Sequence, residues 1–226
     1  MKVLLFDLGQ TLIENVSINL VNGFFALFGE FLTKEELETE FIGIINEFNR
    51  RSERELMIMD FVNDIASRYH IDLGKDSEKR LLDATEVDKS IEGINEVLTY
   101  LKAKGYYLGV ISNTIFSGNV MQKRLIDLGY NNVFHFVLTS ADVTYRKPFK
   151  EIFQKAYEIV KEDLPNVKIE DLYFVGDNYE IDVLGSMAAG MKPIWLNSQK
   201  QMQDYQCLMI ESLQSLKDLV DKNMIN

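Results

Sequence analysis

The 226-residue chain predicts an α/β fold, a doubly wound parallel sheet accompanied by a second, smaller all-helical domain. Three observations carry this. Most of five apolar runs show little polar alternation, the pattern of strands in a sheet covered on both faces. Helical stripes lie between most of them, and strand–helix alternation of this kind builds parallel sheets through right-handed crossovers. One long interval, residues 13–90, breaks the rhythm and carries only helical patterns.

The strands are expected at residues 2–8, 107–113, 134–140, 172–177 and 193–197. Between them, Ile94, Val97, Leu98 and Leu101 have helical spacing, and Gly105 provides the stop. Met121, Leu125 and Leu128 repeat the pattern before Gly129. Phe149, Ile152, Phe153, Ala156, Tyr157 and Val160 form a third stripe. Val183, Leu184 and Met187 form a fourth, closed by Gly190. In the interval, Leu20, Val21, Phe24, Phe25, Leu27, Phe28 and Phe31 read as the core stripe of a helical bundle. Thr33 and Glu36 form a capping-box signature ahead of Leu37, Phe41, Ile44, Ile45 and Phe48. Leu56, Met59, Phe61, Val62 and Ile65 suggest a further helix. The resulting division is residues 1–14 and 89–226 for the core and 15–88 for the helical insert. Residues 199–203 read as a polar connector, 207–210 as a short extra strand and 213–220 as a closing helix.

Composition narrows the partners. A net charge of −11 disfavours nucleic acid, whose phosphates need a basic face. Any anion site must therefore be positive locally. The single cysteine, Cys207, rules out an intramolecular disulfide and points to a reducing compartment. No apolar run reaches the roughly 18 residues a membrane span needs. The chain opens directly into a strand rather than a leader. A cytoplasmic protein without a membrane partner is expected, while its oligomeric state is not readable.

The chemistry gathers where the strands end. Parallel sheets bind ligands at the carboxyl ends of their strands. There the first strand delivers Asp7-Leu8-Gly9-Gln10-Thr11, the second Ser112-Asn113, and the fourth Gly176-Asp177, with Asp182 five residues on. Arg146-Lys147-Pro148 opens the helix after the third. Asp7 and Asp177 are expensive to hold together unless a cation lies between them, and a hard, oxygen-loving ion such as Mg²⁺ suits them. A carboxylate is also a nucleophile toward phosphorus, and phosphoryl transfer asks the protein mainly for positioning and charge stabilisation. Asp7 is thus the expected nucleophile and a metal ligand, with Asp177 the second acidic ligand. Lys147 neutralises a phosphoryl oxygen and Ser112 donates a hydrogen bond to it. Asp182 orients Lys147 or a metal-bound water, while Thr11 and Asn113 line the substrate side, Thr11 also orienting the first loop by hydrogen bonding.

These pieces resemble the haloacid dehalogenase (HAD) superfamily, in its Mg²⁺-dependent aspartyl-phosphate branch. All four motifs occur in family order: Asp7 to Thr11, Ser112, Lys147, and Gly176-Asp177 through Asp182. The resemblance implies a Rossmann-like core, a helical cap inserted after the first strand, and hydrolysis of a small phosphorylated metabolite. It also implies that the Gly9 carbonyl is a metal ligand. One position departs: family phosphatases carry an acid/base Asp two residues after the nucleophile, where this chain has Gly9. General acid–base catalysis is typically worth about 10²–10⁴-fold. Acyl or aryl phosphates, or a proton supplied by a cap residue or a water, are therefore expected. Glu14 and Asn113 are the candidates.

Gly9 also keeps open an alternative, a low-turnover phospho-ligand-binding or regulatory module on the same fold. A metal-independent dehalogenase is disfavoured because it would not need Asp177. His70 and His135 lack partner clusters and read as structural or exposed. Arg146 reads as a surface residue, and Trp195 as packing. The basic cluster Arg50, Arg51 and Arg54 reads as a solvated helix face.

Overall fold

In the computed structural model, which describes residues 2–50, 55–130, 133–201 and 206–225, the chain begins with strand β1 (Lys2–Phe6) and then leaves the sheet for a ribbon and four helices. These are β2 (Ile13–Ile18), α1 (Leu20–Phe28), α2 (Lys34–Arg50), α3 (Ile58–Arg68), α4 (Ser77–Thr85) and the returning strand β3 (Glu86–Ser90). The chain then alternates through α5 (Ile94–Ala103), β4 (Tyr106–Ser112), α6 (Gly118–Asp127), β5 (Phe136–Thr139), α7 (Ser140–Val143) and α8 (Lys150–Asp163). It ends with β6 (Leu172–Gly176), α9 (Gly185–Ala188), β7 (Lys192–Leu196), β8 (Leu208–Ile210) and α10 (Ser215–Asp221).

Six strands form one parallel sheet in the order β5-β4-β1-β6-β7-β8. The chain winds outward from β1 through β4 to β5, then returns to β6 and winds the other way. The crevice at that reversal lies above β1, between β4 and β6, where doubly wound sheets hold their ligands. Strand β1 is apolar on both faces because both are covered. Leu4 and Phe6 pack into one core and Val3 and Leu5 into the other, beside α8 residues Ile152, Phe153 and Ala156. Full burial of such side chains contributes roughly 1.5–3 kcal/mol each.

The interval expected to be free of strands contains two. β2 and β3 pair antiparallel, Ile13 opposite Ser90 and Ile18 opposite Glu86, with an irregularity between Asn15 and Ser17. The division drawn from the sequence, at residues 14/15 and 88/89, cuts through this ribbon rather than falling at its ends. In β3 the side chains alternate, Glu86, Asp88 and Ser90 half-buried, Val87 and Lys89 exposed. Such a short, charged strand offers no apolar run to read.

The expected bundle stripe is only half a core stripe. Phe24, Leu27 and Phe28 are buried, whereas Val21, Phe25 and Phe31 are exposed, Phe25 by 65%. One face of α1 packs on α4, where Gly23 admits the approach: a Cβ there would meet Thr85 Oγ1 and the Leu81 side chain. The Thr33–Glu36 capping box forms as expected, Glu36 N–H donating to Thr33 Oγ1 and Thr33 N–H to Glu36 Oε2 at 2.8 Å. The stripe at Val183, Leu184 and Met187 also needs correction. The helix there begins as a π-turn over Tyr179–Leu184, so Val183 is buried while Leu184 and Met187 face outward. The side chains of Phe48 and Arg50, together with Arg51, Arg54 and Gln203, lie outside the described residues. Among the described residues no helix is long and apolar enough to cross a membrane.

The insert is tied to the core by polar contacts. Glu55 accepts from the Ser140 hydroxyl at 2.9 Å and pairs with Arg146 at 3.3 Å. Arg146, expected to be a plain surface residue, is therefore part of this tie. Glu78 accepts from both the backbone and the hydroxyl of Ser117. Arg124 on α6 grips the end of the insert, reaching Asp83, Asp88 and the Glu86 carbonyl.

Candidate active site

Asp7 follows β1 directly, and its backbone N–H donates to the Val175 carbonyl of β6 at 2.8 Å. The register therefore carries one residue past the end of the strand, and Asp7 stands at the rim. Ser112 ends β4 and is buried. Asp177 follows β6, its carbonyl accepting from the Trp195 indole at 3.1 Å. Trp195 thus does more than pack; it fixes the peptide that carries Asp177.

Lys147 is the hub. Its ammonium donates to Asp7 Oδ1 at 2.5 Å and to Asp182 Oδ1 at 2.7 Å. Its backbone is clamped by Asn113, whose Oδ1 accepts from Lys147 N at 2.7 Å and whose Nδ2 donates to Lys147 O at 2.9 Å. Asp182 also accepts from Asn178 N at 3.1 Å. Gly176 makes room for this: a Cβ there would lie 2.5 Å from the Asp182 carboxylate. Glycine before Asp177 is thus a requirement of close approach to Asp182.

Carboxylate oxygens of Asp7, Asp177 and Asp182 all lie within 4.8 Å of one another. Three carboxylates against the Lys147 ammonium leave a net charge of −2. Burial pushes Asp7 up to about 7, with Lys147 opposing and Asp182 and Asp177 adding to the rise. Burial, then Asp182, also raises Asp177. Burial works against the Lys147 ammonium, but Asp7 and Asp182 outweigh it and hold its pKa above the usual value. A group of crowded oxygen donors with excess negative charge, two of them reluctant to ionise, fits a hard divalent cation. Asp182, spent on Lys147 and Asn178, is placed to hold the lysine.

The other expected residues separate. Gly9 and Asn113 line the same cleft of about 230 Å³ as Asp7, Ser112, Lys147 and Asp177. Thr11, expected on the substrate side and as a hydrogen-bonding support of the first loop, is fully buried, and its hydroxyl donates to Asp177 Oδ1 at 3.5 Å. It supports a carboxylate from beneath. Glu14, a candidate proton donor, is paired with Lys89 at 3.0 Å on the exposed side of the ribbon. Asn113, the other candidate, spends its amide on the Lys147 backbone. His135 stacks on Tyr107 at 3.9 Å between ring centroids, and is structural. The cleft is also lined by Ile18 and Glu86 from the ribbon. Sequence reasoning missed Glu86 because the ribbon itself was missed. The alternation of Glu86, Asp88 and Ser90 was the available signal.

A parallel doubly wound core, an insert after its first strand and an acid–lysine cluster at the sheet reversal define a hydrolase of the HAD type. The family model for haloacid dehalogenase-like hydrolases matches residues 4–196, and the chain belongs to that family. A glyceraldehyde 3-phosphate phosphatase of Methanothermobacter thermautotrophicus is 40% identical over 100 residues, covering 44% of this chain and 41% of that protein. The pyrimidine 5'-nucleotidase YjjG of Escherichia coli is 30% identical over 138 residues, covering 61% of this chain and 58% of that one. The chain thus matches about half the length of these curated relatives. A structure of the HAD-hydrolase YfnB from Bacillus subtilis, bound to magnesium, is similar with a TM-score of 0.57 and 20% identity, over 97% of this chain and 98% of that one. At that identity the likeness concerns the fold.

Proposed function

We propose that this protein is a Mg²⁺-dependent phosphohydrolase that removes phosphate from a small phosphorylated molecule through an aspartyl-phosphate on Asp7. One observation carries the reading: Lys147 bridges Asp7 and Asp182 in a cleft where the Asp177 carboxylate stands within 4.8 Å of both acids. Held by Asp7, the Gly9 carbonyl and Asp177, Mg²⁺ would neutralise charge on the phosphoryl group.

The chain's own residues do the rest. Asp7 attacks phosphorus with a carboxylate oxygen. Lys147 shares its ammonium with the incoming phosphoryl oxygens, and Ser112 donates its hydroxyl. Asp182 and Asn113 keep Lys147 in place, which matters because a misplacement of about 1 Å can cost 10²-fold. The helices between β2 and β3 act as a cap over the cleft. Its volume of about 230 Å³ suits a small substrate. The phosphatase and nucleotidase names of the curated relatives support the reaction class, and the magnesium-bound relative supports the ion.

Phosphate release from an aryl phosphate tests this. The wild-type protein should turn over with Mg²⁺ and stop when the ion is chelated. Asp7→Asn should lose about 10⁴-fold or more in kcat. Undiminished release by Asp7→Asn would overturn the reading. Gly9, which cannot carry a proton, supports a second reading: a module that binds a phosphorylated ligand or holds phospho-Asp with little turnover. Tight Mg²⁺-dependent capture of a phosphate analogue, without phosphate release, would favour it.

A further inference from the structure

Gly9 leaves the leaving group without a proton source on the first loop, yet one carboxyl in the cleft has no assigned work. Glu86, the first residue of β3, lines the same cleft as Asp7, Gly9, Lys147 and Asp177. It reaches the cleft from the opposite wall, as part of the insert. Its backbone is fixed: its carbonyl accepts from Arg124 at 2.7 Å and its position is paired with Ile18 across the ribbon. Its carboxyl makes no hydrogen bond or ion pair among the described residues. Arg124 spends its side chain on Asp83, Asp88 and the Glu86 carbonyl. Ile13, Ile18 and Met121 supply apolar lining to the same cleft. A partly desolvated, unpaired carboxyl lining the cleft that holds a nucleophile is suited to general acid catalysis.

We propose that Glu86 is the proton donor to the leaving oxygen, supplied by the cap's ribbon in place of the acid absent at Gly9. This rests on the phosphohydrolase reading above. In the first half-reaction an Asp7 oxygen bonds to phosphorus and the bond from phosphorus to the leaving oxygen breaks. The electron pair goes to that oxygen, the Glu86 proton joins it, and the products are an alcohol, aspartyl-phosphate and Glu86 carboxylate. In the second, water bonds to phosphorus as the Asp7–phosphorus bond breaks. The water proton returns to Glu86, which restores both side chains and yields phosphate.

The protonation state suits the role. Burial, with Asp88 adding and Arg124 opposing, raises Glu86 to about 7. Asp7, Asp177, Asp182 and Lys147 stand on the other wall, Asp83 sits behind Arg124, and Glu14 pairs with Lys89 outside the cleft. A carboxyl of this kind is protonated in an appreciable fraction at neutral pH and still gives its proton up.

The test is kcat/KM across a panel of phosphate esters from nitrophenol to primary-alcohol leaving groups, with Mg²⁺ present. This parameter covers events up to the first irreversible step, so it isolates proton donation. Wild type should depend only weakly on leaving-group pKa, and its alkyl-ester rate should fall above about pH 7, the range where such a donor ionises. Glu86→Gln should steepen the dependence, cutting alkyl esters by about 10²–10⁴-fold and aryl esters by less than about tenfold. Glu86→Asp should recover part of the alkyl rate, and Asp7-dependent aryl turnover shows that each variant is folded. An equal loss on both classes, no loss on either, or a steep dependence already in wild type would overturn the proposal. A wild type with no Asp7-dependent aryl turnover would instead bring down the phosphohydrolase reading, and this proposal with it.

Discussion

The two walls of the cleft are built by opposite means. On the core wall every charge is tied: Lys147 to Asp7 and Asp182, Asp182 to Asn178, Asp177 to Thr11, and Asn113 to the Lys147 backbone. On the insert wall the Glu86 carboxyl stands without a partner among the described residues, and elsewhere on the insert helix α1 exposes Val21 and Phe25. The tied wall is rigid and suits in-line displacement, where positions must be fixed before the reaction. The untied wall offers a group free to exchange a proton.

The comparison breaks most sharply at Lys147. Lys147→Met leaves Asp7 and Asp182 facing each other across a buried gap. Removing one member of a buried ionic cluster typically costs about 3–5 kcal/mol. Urea unfolding at pH 8 in chelator should show a loss of that order, part of it recovered at lower pH as Asp7 takes up a proton. Gly176→Ala tests the same wall more gently. Its new Cβ would push on the Asp182 carboxylate, so Lys147 should shift and kcat fall by about 10²-fold, while KM for an aryl phosphate changes little.

The insert wall responds to pH instead. The folded pKa of Glu86 is raised above the unfolded value, so its contribution to stability is full below about 4.5 and is lost as pH climbs through about 7. Glu86→Gln removes that loss. The variant should match wild type below about pH 4.5 and be more stable by roughly 1–3 kcal/mol at pH 8, read by chemical denaturation. A stability difference independent of pH would mean that folding does not raise the pKa of Glu86. The smallest effect belongs to the exposed stripe. Phe25→Ser should stay within about 0.5 kcal/mol of wild type, whereas Phe28→Ala, one turn away and buried, should cost about 3–5 kcal/mol.

The same division explains what could be read from the residues. The strands of the sheet were legible because both faces are buried, so their sequences are continuous apolar runs such as 172–175. The site acids were legible because each follows such a run directly. Lys147 stood out by its order in the chain, and Gly9 by what it lacks. The ribbon was hidden because Glu86-Val87-Asp88-Lys89-Ser90 is short, charged and half exposed, with no run to mark it as a strand. Glu86 was hidden with it. Phe25 and Phe31 misled because helical spacing tells which residues share a face, not whether anything covers it. Trp195 read as packing because its indole hydrogen bond joins two strand ends that only the parallel register brings together.

The most direct test is a rapid acid quench of the wild-type protein with a phosphorus-labelled aryl phosphate, followed by peptide mapping. The account predicts label on the peptide that contains Asp7, only when Mg²⁺ is present, released by hydroxylamine and absent from Asp7→Asn. Label on another residue, or steady phosphate release with no labelled peptide at any quench time, would contradict it.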